Sequence, residues 1–173
     1  MPRLGTCRLC LRMMIELQES HYIPAGLYRG SKRKKVTIFS DSGAIEEPEQ
    51  VKDYLLCSEC EQRFGQRGES EVLRAIAAKA GNAFPLHERL SEGEGFLVKT
   101  EELTYFSGPS VGLDMDHLAF FALSVAWRGA VHAWRFPDGE TVSSLDLGEF
   151  REPLRRYLLG KRAFRGILWF SSS

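Results

Sequence analysis

Four cysteines in two close pairs constrain the fold of this chain more than any other feature. Cys7 and Cys10 form one C-x2-C pair, Cys57 and Cys60 form the other, and the 173 residues contain no further cysteine. A C-x2-C turn can aim both of its sulfur atoms at one ion, and two such turns supply four thiolates to a tetrahedral zinc site. The spacing therefore predicts one structural zinc ion that joins two distant segments of the chain.

Other uses of four cysteines stay open at this stage: two disulfides, four unrelated thiols, or iron in the same four-sulfur cage. The N-terminal "MPRLGTCRLC" lacks the apolar core of a signal peptide. The sequence contains no run of about 18 apolar residues, so no membrane span is predicted. We therefore predict a cytoplasmic protein without membrane contact, and thiols stay reduced in that compartment, which favours a metal site over disulfides.

Charge gives no global argument for a partner, because 23 basic and 23 acidic residues leave a formal net charge of zero. Any phosphate contact must come from local patches. The predicted nucleic-acid-binding residues form the basic run Arg29, Lys32, Arg33, Lys34 and Lys35. A second basic patch consists of Arg151, Arg155, Arg156, Lys161, Arg162 and Arg165. Either patch can also be a solvated surface, as short charge runs usually are.

The segments "SHYIP" at 20–24 and "LLCSEC" at 55–60 resemble two motifs of the HNH endonucleases, "DHI-x-P" and "LLC-x-x-C". The resemblance covers residues 5–66 and implies the ββα-metal form of the treble clef. The chain is also similar to an uncharacterised group of bacterial proteins with "SHIIP" and "LLC-x-x-CE" motifs. The same resemblance implies a setting in bacterial defence or mobile elements.

The resemblance also implies catalytic roles for His21 and Glu61. His21 falls where the family has the general base that activates the attacking water. Glu61 falls where the family has a histidine that binds the catalytic ion, and Ser20 falls where it usually has a metal-binding aspartate. The family's asparagine before the second cysteine pair is missing, and Lys52 and Asp53 lie in that neighbourhood. A carboxylate at Glu61, with Asp53 as a second oxygen ligand, would suit Mg²⁺ or Mn²⁺.

The chain as a whole predicts an α+β fold, with a zinc-binding treble clef at 1–68 and a mainly helical half at 69–173. Alternation and β-branched residues predict a strand at 35–40, and a strand or hairpin is predicted at 95–106. Helical spacing or position predicts helices at 58–65, 69–84, 114–133 and 147–161. Residues 163–173 are expected to form a terminal strand or a docked tail.

Two function hypotheses follow from these observations. The first is a zinc-binding HNH-like protein associated with DNA or RNA, with metal-dependent nuclease activity as its catalytic form. The second is a catalytically inactive zinc adaptor that binds a protein partner or nucleic acid. The "SHYIP" motif favours the first hypothesis, whereas Ser20 and Glu61 depart from the HNH ligand set and favour the second.

Overall fold

The computed structural model describes residues 2–27, 36–40, 43–47, 51–77, 84–92, 95–135, 141 and 144–161, with the backbone alone for 36–40 and 43–47. It mixes antiparallel strands with helices and confirms the α+β prediction. The strands are β1 Leu4–Gly5, β2 Ile15–His21, β3 Val36–Ser40, β4 Gly43–Glu47, β5 Lys52–Cys57, β6 Phe96–Lys99 and β7 Thr104–Phe106. The helices are α1 Ser58–Phe64, α2 Ser70–Ile76, α3 Pro85–Glu92, α4 Met115–Val131 and α5 Arg151–Leu158.

Contacts within the chain define two compact units, each built from separate segments. The first unit comprises Met1–Tyr22, Val51–Phe64 and Ala122–Ser173. The second unit comprises Ile23–Gln50 and Gly65–Phe121. The division into domains at 1–68 and 69–173 remains a prediction about which parts of the chain fold as units.

A three-stranded antiparallel sheet with the order β1-β2-β5 organises the first unit. In the β2–β5 ladder Leu17 lies opposite Cys57, and Ser20 lies opposite Asp53. The register shifts between Gln18 and Glu19, which marks a bulge in β2. Because α1 begins directly after β5, the ladder fixes both the end of β5 and the start of α1 beside β2.

Aromatic residues from α1 and from the end of α4 build the core of the first unit. The rings of Phe64 and Trp127 meet edge to face with their centroids 6.1 Å apart, an arrangement that aromatic pairs favour. Trp134 is buried, and its Nε1–H donates a hydrogen bond to the carbonyl of Arg128 at 3.0 Å. Leu154 and Leu158 are buried on α5. The last turns of α4 therefore pack into the core of the first unit.

The second unit contains two hairpins, β3–β4 and β6–β7, together with α2, α3 and the first part of α4. A π-helical turn at Gly65–Glu69 precedes α2. A Cβ atom at Gly68 would lie 3.1 Å from the backbone nitrogen of Phe121, so a larger residue would push this turn away from α4. Gly112 has φ +68° and ends the short 3₁₀ turn at Pro109–Val111.

Most predicted elements are confirmed, with one clear difference in length. The structure contains the strand at 36–40, the hairpin at 96–106 and helices close to 58–65, 114–133 and 147–161. The helix predicted at 69–84 instead ends at Ile76, because Ala77 takes an extended backbone with ψ 141°. A separate helix then begins at Pro85, whose ring suits the first turn. The predicted terminal segment 163–173 lies outside the described residues.

The longest helix, α4, begins where its sequence predicted a start. Asp114 accepts hydrogen bonds from the backbone N–H groups of Asp116 at 2.9 Å and His117 at 3.0 Å, as a helix-capping residue does. The bond from His117 lowers the pKa of Asp114. Across the described ranges, no helix has both the length and the apolar character needed to cross a membrane.

Candidate metal centre

The first cysteine pair lies in a tight turn between β1 and β2, which we call the knuckle (residues 7–14). The N–H of Leu11 donates to the carbonyl of Cys7 at 2.9 Å, and the N–H of Cys7 donates to the carbonyl of Arg12 at 3.0 Å. Leu11 closes the turn with φ +64°, in the left-handed region. These bonds hold the knuckle in one conformation.

The second cysteine pair comes from the junction between β5 and α1. Cys57 is the last residue of β5, and Cys60 lies in the first turn of α1. The N–H of Arg8 donates to the carbonyl of Leu55 at 3.1 Å, which attaches the knuckle to β5. The N–H of Cys57 lies 3.4 Å from the sulfur of Cys7, to which it donates. The backbone thus brings the two pairs together before any ion binds.

The four sulfur atoms form one compact group. All four lie within 4.8 Å of one another, and none of the four cysteines forms a disulfide. The sulfurs of Cys10 and Cys57 are 3.8 Å apart. A tetrahedral ion with metal–sulfur bonds of about 2.3 Å places its ligand sulfurs about 3.8 Å apart. The donor set therefore fits zinc with all four positions filled by protein, the arrangement of a structural site, and iron would accept the same cage.

Hydrogen bonding within this group changes the acidity of the thiols. The Cys60 thiol donates to the Cys7 sulfur, and this bond lowers the pKa of Cys7 to about 4. The same bond, together with burial, raises the pKa of Cys60. Burial also raises the pKa of Cys57. A divalent ion that binds these sulfurs replaces the protons they share, so metal affinity will depend on pH.

Arg12 supports the sulfur group from outside. Its Nε donates to the sulfur of Cys10 at 3.4 Å, and its Nη2 donates to the sulfur of Cys57 at 3.4 Å. Glu59 binds the same guanidinium at 3.1 and 2.6 Å and fixes its orientation. The bond with Glu59 contributes most to raising the pKa of Arg12, and the bonds to the two sulfur atoms add to it. Four thiolates around a divalent ion carry excess negative charge, which Arg12 partly offsets.

The predicted catalytic residues His21 and Glu61 lie on adjoining elements of the first unit. His21 ends β2 opposite Lys52, and Glu61 lies in the first turns of α1. Ser20, the neighbour of His21, is buried and donates a hydrogen bond from its hydroxyl to Oε1 of Glu61. The structure therefore brings the Ser20 and Glu61 positions into direct contact.

Asp53 makes a different contact from the one that the sequence suggested. Its Oδ2 lies 3.0 Å from Nε2 of His132, and its Oδ1 accepts the N–H of Tyr54 at 2.7 Å. The His132 ring packs edge to face against Trp134, with centroids 4.9 Å apart. Among the described residues, the only group of three or more possible metal ligands is the cysteine group, so Asp53 joins no second metal site there.

No known protein family, curated protein or solved structure matches this chain. The likeness to HNH endonucleases stays an interpretation of the sequence.

The structure describes only part of the predicted phosphate-binding surface. Arg29, Lys32, Arg33, Lys34 and Lys35 lie outside the described residues, as do Arg162 and Arg165. In α5, Arg155 and Arg156 both bind Glu152, at 2.7 and 2.9 Å. Two arginines of the C-terminal patch are thus engaged within the chain.

Sequence reasoning missed the roles of Arg12, Glu59, Arg155 and His132. Arg12 and Glu59 each lie two residues after a cysteine, but no motif marks them. Their roles depend on where side chains from distant segments meet, and a single sequence gives no signal for that.

Proposed function

We propose that this chain is a zinc-stabilised treble-clef protein on an HNH-like frame, which binds a partner and does not cleave nucleic acid. The observation that carries the proposal is the hydrogen bond from the Ser20 hydroxyl to Glu61. The proposal unites the zinc site with the departures from the HNH ligand set.

The order of elements around the cysteines supports a treble clef. The knuckle precedes β2, β2 pairs with β5 in antiparallel fashion, and α1 follows at once with Cys60 in its first turn. The HNH resemblance implies the same order around one four-cysteine site: a knuckle, then a strand pair, then a helix. Zinc in this place would hold the strand pair and the helix together.

The Ser20–Glu61 bond supports the loss of HNH chemistry. In the frame of the resemblance, these two positions hold the ligands of the catalytic ion. A neutral hydroxyl is a weaker ligand for Mg²⁺ than the carboxylate that it replaces. Here the hydroxyl instead donates to the carboxylate of Glu61, so one oxygen of that carboxylate is already engaged. Asp53 is likewise engaged with His132.

A reconstruction experiment tests this proposal. The zinc-loaded full chain is incubated with DNA and RNA, in single and double strands, with Mg²⁺ and with Mn²⁺, and we expect no cleavage. The Ser20→Asp/Glu61→His double variant restores the family's ligand types and should gain Mn²⁺ binding, measured by electron paramagnetic resonance. The matched control is Ser58→Asp/Gln62→His, which introduces the same residue types at two exposed positions of α1, the helix that carries Glu61. Wild-type cleavage that stops in His21→Ala, with the zinc content retained, would contradict the proposal.

A metal-dependent nuclease is the second candidate function. The observation in its favour is that His21 directly follows the residue that contacts Glu61, so a general base and a carboxylate lie on adjoining elements. In this version Glu61 would leave Ser20 to bind Mg²⁺ or Mn²⁺, and His21 would activate a water molecule. Cleavage would then require His21 and Glu61 together.

Association with DNA or RNA is a separate part of the second candidate, and it is tested through salt dependence. If the basic run at 29–35 contacts phosphates, affinity should fall steeply with salt, because each contact releases counterions. Changing Lys32, Arg33 and Lys34 to Ala should reduce the slope by about two to three units on duplex DNA. The comparison is the Arg155, Arg156 and Arg162 to Ala variant on the same duplex. An unchanged slope in the first variant would show that the run makes no phosphate contact.

A further inference from the structure

A cleft of about 450 Å³ lies beside the knuckle within the first unit. Arg8 and Leu11 line it from the knuckle, and Trp127 and Val131 line it from α4. Its remaining wall runs from Gly148 to Arg155. This volume lies within the range of about 300–1,000 Å³ that is typical of ligand-binding clefts.

Two exposed apolar side chains of the knuckle stand on strained backbone. Leu11 has φ +64° and is 53% exposed, and Met14 has φ +51° and is 76% exposed. A residue other than glycine in the left-handed region costs on the order of 1–3 kcal/mol where it is strained. Burial does not offset that cost here, because both side chains face solvent. Glycine at either position would relieve the backbone strain. The stability of the fold therefore does not explain why the chain has leucine at 11 and methionine at 14.

Met13 extends the same surface and is 77% exposed. Leu11, Met13 and Met14 are thus three exposed apolar residues within four positions of the knuckle, and Leu11 belongs to the lining of the cleft. Methionine side chains adapt to irregular apolar partners, and protein-binding surfaces use them for that reason. An exposed apolar group next to a cleft is typical of a protein-binding site.

Charge at the cleft identifies the kind of partner. Three arginines and two glutamates line it, and Arg155 and Glu152 bind each other. Arg8 and Arg151 are exposed, and neither forms an ion pair with any described residue. The lining therefore has an excess of positive charge, carried by two arginines that are available to carboxylates. Glu149 on the same wall reduces this excess to one charge, and the apolar lining by Leu11 and Val131 favours a protein segment over the closely spaced phosphates of a nucleic acid.

We infer that the cleft and the knuckle side chains Leu11, Met13 and Met14 bind a segment of a protein partner in which a large apolar residue stands beside acidic residues. The apolar residue enters the cleft against Leu11 and Val131, and the acidic residues meet Arg8 and Arg151. The inference rests on the proposed function, because it specifies the partner of the binding module. Leu11 and Met14 would then contribute binding energy in return for their backbone strain.

Selection from displayed random peptides tests the inference. The zinc-loaded full chain is used for selection, and its Leu11→Gly/Met14→Gly variant is used for counter-selection. We expect enriched peptides with a large apolar residue flanked by Asp or Glu. A synthetic peptide of the enriched sequence should bind the wild type about tenfold more tightly than the glycine variant, and Arg8→Glu/Arg151→Glu should weaken it similarly.

Two controls separate binding from folding. The glycine variant should keep its zinc, and its Tm should not fall, because glycine relieves the strain. Leu103→Gly, at a 57% exposed position outside the first unit, should bind the peptide like the wild type.

Three results would overturn the inference. The first is that the selection enriches basic peptides or no peptides. The second is that the wild type and the glycine variant bind the peptide with equal affinity. The third is that sedimentation shows Leu11, Met13 and Met14 mediating self-association of the wild type. Failure of the proposed function can be told apart from failure of this inference, because cleavage of nucleic acid is measured in an assay that does not involve peptide binding.

Discussion

Arg155 in α5 donates a hydrogen bond from Nη1 to the backbone carbonyl of Leu9 in the knuckle, at 2.6 Å. The two residues lie 146 positions apart in the chain. Leu9 is fully buried, and Glu152 holds the guanidinium of Arg155 through two further bonds at 2.7 and 2.8 Å. One side chain thus connects α5 to the loop that carries two of the four cysteines.

We expect Arg155→Ala to lower the free energy of unfolding by about 2–3 kcal/mol, because hydrogen bonds to charged groups contribute about 1.5–3 kcal/mol and a buried carbonyl would lose its donor. Arg156→Ala is the matched control, since Arg156 binds Glu152 at the surface and should change stability by less than about 1 kcal/mol. Urea denaturation followed by tryptophan fluorescence measures both. Equal effects of the two substitutions would show that the contact with Leu9 contributes nothing specific.

The metal centre should hold one zinc ion per chain. Cys57→Ser should lose the metal and the fold of the first unit together, because binding to a structural site contributes about 10 kcal/mol or more to folding. Elemental analysis and near-ultraviolet circular dichroism measure the two quantities on the same sample. A fully folded wild type without metal would contradict the prediction, whereas one iron atom per chain would keep the site and change the ion.

Arg12 should slow the release of the metal. We expect Arg12→Ala to accelerate zinc transfer to a competing chelator by about tenfold, since loss of a supporting contact around a metal typically changes affinity by about 10–100-fold. Glu59→Gln should give a smaller change in the same direction, because Glu59 only orients Arg12. Arg8→Ala, at an exposed neighbouring arginine, is the control and should release zinc at the wild-type rate. If Arg8→Ala and Arg12→Ala behave alike, general surface charge is the cause.

Tyr22 should make stability fall at alkaline pH. Burial raises the pKa of Tyr22 above its ordinary value of 10.0, and its ring stacks on Trp134 with centroids 5.3 Å apart. The folded state therefore retains a proton that the unfolded state loses. The stability linked to it is fully present below pH 10.0 and falls as pH rises from there through the folded pKa. Wild type should lose stability more steeply than Tyr22→Phe between about pH 9 and pH 11. Parallel curves from denaturant titrations would show that Tyr22 ionises alike in both states.

The sequence by itself determined the features that depend on local chemistry. Two C-x2-C pairs predicted a four-sulfur site, because the ligand type and the short turn are both encoded within a few residues. Asp114 marked the start of α4, since a capping side chain binds N–H groups two and three residues ahead. Alternation predicted a strand at 35–40, and the structure has it at Val36–Ser40, for the same local reason.

Only the tertiary structure decided which distant side chains meet. The β2–β5 register sets Ser20 opposite Asp53, yet Ser20 binds Glu61 and Asp53 binds His132. The Arg12 guanidinium on the cysteine sulfurs and the Arg155 bond to Leu9 were equally invisible in the sequence. Such pairs depend on strand register and helix packing, where a shift of one residue sends a side chain to another face. The sequence contains the donors and acceptors, but only the folded backbone selects their partners.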